Sequence, residues 1–288
     1  MGNPTIGEMI NRAAEHLRAS GSETPRLDAE VLLAHALGRD RVYLFRETGR
    51  TLPEEIARRY RALIERRVAG EPVAYLTGSK EFMGLDFLVG SHVLIPRPET
   101  ELMVEYALAA LAGWPGSRRI VADVGTGSGA VAVSLARLAP GVQVYATDIS
   151  EQALATARAN AGRHGVDVQF YCGDLLSPLQ GVLGPASVAV ITANLPYIPS
   201  PEMSGLPRDV RCFEPALALD GGSDGLALYR RLVPGAYSLL APGGYLLMEI
   251  APDQGDRALE LTPPPRWRAR VLRDLAGRPR LVAAQKFE

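Results

Sequence analysis

The segment Asn194-Leu195-Pro196-Tyr197 directly follows an apolar run, Val188–Ala193, that is predicted to be a buried strand. An amide or aromatic amine is a poor nucleophile because its nitrogen lone pair is delocalised. Two acceptors, the Asn194 side-chain oxygen and the Leu195 carbonyl, could hold such an NH₂ group in line with an electrophile. Pro196 would keep the turn rigid, and Tyr197 would offer a flat face to a planar substrate group. Unless this is an ordinary strand-ending turn, it predicts chemistry on an NH₂ group by orientation and charge stabilisation, without a strong base.

A glycine-rich loop follows another predicted strand, Ile120–Val124. Its glycines would let the backbone turn tightly and approach a ligand at the N-terminus of the next helix. Gly125, Gly127 and Ala130 also fit the dinucleotide pattern G-x-G-x-x-G/A, so the loop alone does not identify the cofactor. The residues of the loop predicted to bind it are Gly125, Thr126, Gly127, Ser128 and Gly129.

Carboxylates at the strand ends favour one cofactor. Asp123 would repel a pyrophosphate but attract the ammonium and sulfonium groups of S-adenosylmethionine. Asp148 ends the next strand and could accept hydrogen bonds from both ribose hydroxyls, or it could cap the helix that begins at Glu151. Asp174 could contact the adenine amino group, or it could simply belong to a Gly-Asp turn. We therefore predict S-adenosylmethionine as cofactor, S-adenosylhomocysteine as product, and no metal.

The order of predicted elements is that of an α/β protein. After about residue 100 strands and helices alternate, which predicts a doubly wound parallel sheet. The first 70 residues read as helices with capping boxes at Thr5–Glu8 and Thr51–Glu54. Two β-like runs, Ala74–Thr77 and Leu85–Val89, predict a hairpin between the two parts. The expected organisation is a helical substrate-recognition domain at 1–70, a hairpin linker at 71–95 and a methyltransferase domain at 96–288.

Composition limits the partners. Hydrophobic residues make up 47% and charged residues 22% of the 288 residues, with a net charge of −1, so there is no field that would draw the chain to nucleic acid or an anionic membrane. The start lacks a signal-peptide pattern, and two cysteines with four histidines form no disulfide framework or metal cluster. We expect a soluble, cytoplasmic monomer without a metal, and with no direct nucleic-acid or membrane partner.

The motifs together resemble a known family. Asn194–Tyr197 combined with Asp123–Gly129 resembles the amino-group N-methyltransferases of the seven-stranded, Rossmann-like class I that depends on S-adenosylmethionine. The segment Leu94–Glu101 is similar to the IPRP[DE]TE signature of the HemK family, the PrmC-like peptide chain release factor glutamine methyltransferases. Further similar segments, which extend the resemblance over nearly the whole chain, are Arg26–Leu33, Pro72–Gly78, Glu81-Phe82 and Phe213–Pro215.

The resemblance implies an N5-methylation of the glutamine in the Gly-Gly-Gln motif of class 1 release factors. It implies that the loop at 125–129 and Asp148 bind the cofactor and that residues 194–197 hold the glutamine amide. Leu175 stands where the family often has an aromatic residue near adenine. The family usually has Asn-Pro-Pro-Tyr, whereas this chain has Leu195 at the second position. The backbone carbonyl acceptor is present with either residue, so Leu195→Pro is expected to be tolerated.

Three other functions remain open at this point. A ribosomal-protein glutamine methyltransferase would differ only in its protein substrate. An adenine N6-methyltransferase of DNA or RNA is kept open because the Asn-Leu-Pro-Tyr form also occurs in RNA adenine dimethyltransferases. A nicotinamide oxidoreductase is disfavoured by Asp123 and by the lack of a proton-transfer constellation. Five arginines form either a solvated helix face or a docking surface for the partner: Arg58, Arg59, Arg61, Arg66 and Arg67.

Overall fold

The structure, a computed structural model, describes residues 4–287 in two compact units, one made of 4–79 with 207–213 and the other of 80–206 with 214–287. The helices are α1 (Ile6–Ala19), α2 (Pro25–Leu37), α3 (Arg41–Arg46), α4 (Glu54–Val68), α5 (Val73–Thr77), α6 (Glu101–Ala112), α7 (Ala130–Leu138), α8 (Glu151–His164), α9 (Arg208–Phe213), α10 (Ala227–Leu239) and α11 (Gly255–Leu259). The strands are β1 (Ser79–Phe82), β2 (Leu85–Leu88), β3 (Ile120–Val124), β4 (Gln143–Asp148), β5 (Gln169–Cys172), β6 (Val188–Ala193), β7 (Leu240–Glu249), β8 (Trp267–Arg273) and β9 (Pro279–Lys286). None of these described helices is both long enough and apolar enough to span a membrane.

Local capping explains where several helices begin and end in the helical unit. The capping box at Thr5–Glu8 is confirmed, because the Thr5 hydroxyl accepts from the Glu8 N–H while the Glu8 carboxylate accepts from the Thr5 N–H. The capping box predicted at Thr51–Glu54 is wrong. Pro53 precedes the first turn of α4 with no side-chain cap, and Thr51 instead forms an isolated β-bridge with Thr5.

Two acidic residues of α2 are buried in this unit. Asp28 accepts hydrogen bonds from the hydroxyls of Ser22 at 2.9 Å and Thr24 at 2.8 Å, and from Arg67 of α4 at 2.8 Å. Glu30 is only 3% exposed and pairs with two arginines. A buried carboxylate is tolerated only when it is paired and hydrogen-bonded, so these contacts hold α2 to its neighbours. Arg67 is therefore tied to the buried Asp28 carboxylate, with only 15% of its side chain exposed.

The first strand of the predicted hairpin is misplaced. Residues 74–77 lie in α5, which begins after Pro72 and ends at Gly78, whose φ of +71° is left-handed. Proline before the first turn and a left-handed glycine after the last turn are helix-boundary signals, and they outweigh the β-like composition of the run. The hairpin forms one step later, from β1 and β2.

The second unit is the predicted α/β fold with a seven-stranded sheet of order β5-β4-β3-β6-β7-β9-β8. The first five strands in this order pair in parallel, while β9 runs antiparallel to both β7 and β8. β3 and β6 are buried along their whole length, as expected for strands covered by helices on both faces. Strand order reverses between β3 and β6, and open α/β sheets bind ligands at such a point.

The buried Asp28–Arg67 pair gives a stability prediction. Arg67→Met should lower the free energy of unfolding of the helical unit by about 3 kcal/mol, because the Asp28 carboxylate is left buried without its cation. Urea unfolding followed by far-UV circular dichroism measures the change. Arg58→Met, in an exposed position of the same helix, should change it by less than about 0.5 kcal/mol. Equal effects of the two substitutions would contradict the structural role of Arg67.

Candidate functional site

A cavity of about 700 Å³ opens at the carboxyl ends of the central strands. This volume lies within the range of about 300–1,000 Å³ that is common for small-molecule sites. Most of its wall comes from residues at or after the ends of four parallel strands and from the segment that precedes α6: 123–128, 147–150, 173–175, 194–196, 91–94, 96–97 and Thr100.

The glycine-rich loop lies directly against the Asn-Leu-Pro-Tyr turn. A Cβ atom on Gly125, whose φ is +71°, would come within 2.8 Å of the Leu195 Cδ2 atom. Gly125 and Gly127 are both on the cavity wall, with Gly127 also left-handed at φ +56°. Gly129 is not on the described wall; a Cβ there would lie 3.0 Å from that of Ala157, so this glycine lets α7 pack against α8.

Asp123 is 2% exposed and sits at the base of the cavity. Its two carboxylate oxygens accept hydrogen bonds from the hydroxyls of Thr126 at 2.6 Å and Thr192 at 2.7 Å. Burial raises the pKa of Asp123 to about 6, and the two hydroxyls offset part of that shift. The Asp123 carboxyl group therefore places hydrogen-bonding oxygens at the floor of the cavity, and it adds a negative charge there when it is ionised.

Asp148 organises the loop on the next strand. Its oxygens accept from the backbone N–H groups of Gly127 at 2.8 Å and Ser150 at 2.9 Å. Burial raises the pKa of Asp148, and these backbone hydrogen bonds partly counter it. Ser150 is the N-cap of α8, accepting from the Ala153 N–H, so the alternative role of Asp148 as that helix cap is wrong. A carboxylate has about four acceptor positions, so Asp148 can still accept a hydrogen bond from a ligand.

Asp174 and Leu175 form the far wall. The Asp174 carboxylate pairs with the Arg231 guanidinium of α10. Leu175 has a φ of +50° and lies on the same wall as Leu228. The wall is thus apolar with one ion pair at its edge, which suits an aromatic ring that carries an exocyclic amino group.

Asn194 is oriented by a residue far away in the sequence. Its Nδ2 atom donates to the Thr100 hydroxyl oxygen at 3.1 Å. Asn194 also lines the cavity, and its side-chain oxygen, which this hydrogen bond does not use, is an acceptor for a ligand there.

The backbone of the same turn is held by Tyr229. The Leu195 N–H donates to the Tyr229 hydroxyl at 3.2 Å, and that hydroxyl donates to the Glu249 carbonyl at 2.5 Å. The expectation that Leu195→Pro is tolerated must therefore be corrected, because proline would remove a donor that this buried hydroxyl uses. The Leu195 side chain is 4% exposed and belongs to the core as well.

Tyr197 is not among the described residues of the cavity wall. Its hydroxyl lies 3.5 Å from Oε1 of Glu249, and its carbonyl accepts from Nε2 of Gln254 at 2.8 Å. Burial raises the pKa of the Tyr197 hydroxyl and keeps it neutral. The structure therefore brings Asn194, Leu195 and Pro196 to the cavity wall. Tyr197 instead contacts Glu249 and Gln254.

Several residues of the site were not singled out individually from the sequence. Glu214, 5% exposed, pairs with Arg97 and accepts from the Ile95 N–H at 3.2 Å, which fixes the segment that leads to Thr100. Both ends of this contact lie in segments that the family resemblance had marked, Leu94–Glu101 and Phe213–Pro215. Glu249 had no sequence signal beyond its place at the end of an apolar strand. Among residues 4–287, no group of three or more His, Cys, Asp and Glu side chains could hold a metal ion.

Comparisons with known proteins agree with this geometry. Residues 121–212 match a family described as "Methyltransferase domain", so the second unit is of the methyltransferase class. Residues 8–78 match the "PrmC N-terminal domain". The catalytic domain of hMettl16, solved in complex with the MAT2A 3′UTR hairpin 6, superposes with a TM-score of 0.55 over 75% of this chain and 80% of that one; at 14% identity this shows the fold alone.

Two curated relatives named "Release factor glutamine methyltransferase" decide the family. The one from Moorella thermoacetica is 46% identical over 293 residues, covering 99% of each chain. The one from Koribacter versatilis is 42% identical over 284 residues, covering 98% of this chain and 99% of its own. The chain belongs to the release factor glutamine methyltransferase family.

The Tyr229 hydroxyl gives a prediction for the site. Tyr229→Phe should lower the free energy of unfolding by about 1–3 kcal/mol, because the buried Leu195 N–H loses its acceptor. The control is Tyr171→Phe, which removes a hydroxyl that donates to the exposed Gln169 side chain at 3.2 Å. It should hardly change the free energy of unfolding. Urea unfolding of both variants under the same conditions measures the two changes. If Tyr229→Phe leaves the free energy of unfolding unchanged, this hydroxyl does not support the turn.

Proposed function

We propose that this protein transfers a methyl group from S-adenosylmethionine to the side-chain nitrogen of the glutamine in the Gly-Gly-Gln motif of class 1 peptide chain release factors. The products are N5-methylglutamine and S-adenosylhomocysteine. The observation that carries the proposal is the Asn194 side chain on the cavity wall, whose nitrogen donates to Thr100 at 3.1 Å and whose oxygen remains as an acceptor for the glutamine NH₂ group. The names of the full-length relatives support the choice of protein substrate.

The cavity fits S-adenosylmethionine in both size and charge. Carboxylates end three neighbouring strands, at Asp123, Asp148 and Asp174. The deepest, Asp123, is suited to a cationic ligand, Asp148 to a pair of hydroxyls, and the apolar wall at Leu175 to an adenine ring. When bound, this cofactor supplies an electrophilic methyl group on a sulfonium.

The catalytic turn acts on the glutamine amide by orientation. Its nitrogen lone pair is delocalised into the carbonyl, so the NH₂ group must be held in line with the methyl group. The Asn194 oxygen and the Leu195 carbonyl accept its two hydrogens and favour the positive charge that develops on nitrogen. The nitrogen gains one carbon and loses one hydrogen as a proton, and no strongly basic residue is required.

The helical unit supplies the contact with the intact release factor in this proposal. Arg67 is structural, whereas Arg58 and Arg59 of α4 are exposed and carry positive charge outward. We assign to these two the contact with an acidic part of the protein substrate. The proposed setting is the cytoplasm, with the protein acting as a monomer on free release factors.

Mass spectrometry of a Gly-Gly-Gln peptide and of the intact release factor, after incubation with the protein and S-adenosylmethionine, tests the proposed function. The expected result is one methyl group in place of one hydrogen, located on the glutamine side chain. Methylation of a ribosomal protein or of adenine in RNA, with both release-factor substrates unmodified, would replace the proposed substrate by one of those alternatives.

Asp148 tests the cofactor assignment. Asp148→Ala should weaken binding of S-adenosylhomocysteine by about 1–3 kcal/mol, because the ribose hydroxyls lose their acceptors. Asp167→Ala, an exposed aspartate before β5, is the matched control and should leave the affinity unchanged. Isothermal titration calorimetry with S-adenosylhomocysteine and with NAD measures both. Tight binding of NAD and no response to S-adenosylhomocysteine would overturn the assignment.

Asn194 tests the chemical role of the turn. Asn194→Ala should lower the single-turnover methylation rate by about 10²–10³-fold, by analogy with the loss of one positioned hydrogen-bonding group in an oxyanion hole. Affinity for S-adenosylhomocysteine should stay nearly unchanged, since the cofactor is held by the other strand ends. Rapid-quench assays on the peptide give the rate. A fully active Asn194→Ala protein would refute the mechanism.

A further inference from the structure

We propose that the segment Leu219–Gly225, together with Gln254, fixes the backbone of the turn at 194–197 so that the Leu195 carbonyl faces the substrate NH₂ group. Gly225 and Gln254 are positioning residues in this inference, because neither is among the described residues of the cavity wall. The inference rests on the proposed function, since it explains what holds one of the two acceptors for the glutamine amide. The three glycines of this segment had no role assigned from the sequence.

The Leu195 carbonyl depends on its neighbours for its direction. It belongs to the peptide group between Leu195 and Pro196, which has no N–H that a hydrogen bond could hold. Its direction is therefore determined by the peptide groups on either side and by the fixed φ of Pro196. On the N-terminal side, the Leu195 N–H donates to the Tyr229 hydroxyl at 3.2 Å. The contacts on the C-terminal side come from the segment Leu219–Gly225 and from Gln254.

Backbone hydrogen bonds join this segment to the residues that follow the turn. The Ile198 N–H donates to the Leu219 carbonyl at 3.1 Å, and the Gly221 N–H donates to the Ile198 carbonyl at 2.8 Å. The Ser200 N–H donates to the Gly222 carbonyl at 2.8 Å. Because three hydrogen bonds connect the same two stretches of backbone, the chain that leaves the turn can move only if the segment moves with it or these bonds break.

Gln254 connects the turn to the residues that follow β7. It is 0% exposed, its Nε2 atom donates to the Tyr197 carbonyl at 2.8 Å, and its Oε1 atom accepts from the Ala251 N–H at 3.0 Å. Both ends of the side-chain amide are thus used, so its orientation is fixed. The Tyr197 carbonyl is therefore held in one position, two residues beyond the Leu195 carbonyl.

Gly225 and Gly221 let the segment pack directly against the backbone of the turn. Gly225 has a φ of +76°, and a Cβ atom there would overlap both the Tyr197 carbonyl oxygen and the Gln254 Nε2 atom. A Cβ atom on Gly221 would lie 2.6 Å from the Pro196 carbonyl oxygen. A side chain at either position would therefore displace the turn, and with it the Leu195 carbonyl.

A pair of glycine variants tests this contact in the full-length protein. Gly277 has nearly the same backbone conformation as Gly225, with a φ of +77°, but an added Cβ atom would meet nothing within 4 Å. Both alanine substitutions therefore carry the same backbone strain, and only Gly225→Ala disturbs the turn. Gly225→Ala should lower the single-turnover rate on a saturating Gly-Gly-Gln peptide by at least about tenfold, because a small misplacement of a positioned group is costly. Gly277→Ala should leave the rate unchanged.

A pair of glutamine variants tests the hydrogen bond without adding atoms to a crowded site. Gln254→Met keeps the length of the side chain but removes the donor to the Tyr197 carbonyl, and should lower the same rate by at least about tenfold. The matched control is Gln285→Met, because the Gln285 Nε2 atom donates to the Gly243 carbonyl at 3.0 Å in another part of the sheet. Gln285→Met should leave the rate unchanged.

Rates are expressed per S-adenosylhomocysteine-binding site, counted by isothermal titration calorimetry, so that unfolded protein does not lower them. Affinity for S-adenosylhomocysteine should be the same in all four variants as in the original protein, because the cofactor contacts lie at other strand ends. If Gly225→Ala binds no S-adenosylhomocysteine, the Gln254→Met comparison decides alone.

The inference is wrong, while the proposed function stands, if a folded Gly225→Ala or Gln254→Met protein methylates as fast per site as its control. It is also wrong if Gln254→Met loses S-adenosylhomocysteine binding, since Gln254 would then support the whole unit and not the turn. If the original protein methylates no glutamine, the proposed function fails and this inference fails with it.

Discussion

The site depends on the parallel pairing of β3 with β6 at the centre of the sheet, in a register that sets Asp123 opposite Thr192 and Val124 opposite Ala193. Because both strands run in the same direction, the residues that follow them emerge side by side. The glycine-rich loop after β3 and the turn at Asn194 are thus in contact, so close that position 125 has no room for a side chain. A shift of this register by one residue would turn Asp123 away from Thr192 and separate the floor of the cavity from the turn at Asn194.

Buried polar groups below the turn give the site its rigidity. Tyr229, Gln254 and Glu249 are each almost fully buried, and the first two bind the backbone on either side of Pro196. A buried polar group without a partner costs several kcal/mol. A movement of the turn that broke one of these hydrogen bonds would incur that cost, so the hydrogen bonds restrict the conformation of the turn. The outer surface of the cavity is less constrained, since the Asp174–Arg231 pair at its rim is about half exposed and contributes little stability.

Sequence patterns predicted the centre of the second unit well because β3 and β6 are buried, mostly apolar runs followed by glycine and asparagine. β3 and β6 have the predicted bounds, and α8 begins at Glu151 as expected. The candidate cofactor and turn residues were also identified from local motifs. The contacts of Thr100 and Glu249 were not, because a hydrogen bond between segments distant in sequence leaves no periodic or compositional trace. The error at residues 74–77 has a different origin: the run is β-like in composition, but the proline and glycine at its ends define a helix.

The Asn194–Thr100 hydrogen bond joins residues that are 94 positions apart, and Glu249 lies in a third segment still further along the chain. Long-range contacts of this kind form only after the loop entropy between their ends has been lost, which makes them late events in folding. A chain released from the ribosome before β7 is made lacks Glu249 and the strand that supports the turn. The turn at Asn194 would thus reach the contacts described here only when synthesis is nearly complete, so an incomplete chain could pair β3 with β6 without the hydrogen bonds that hold this turn.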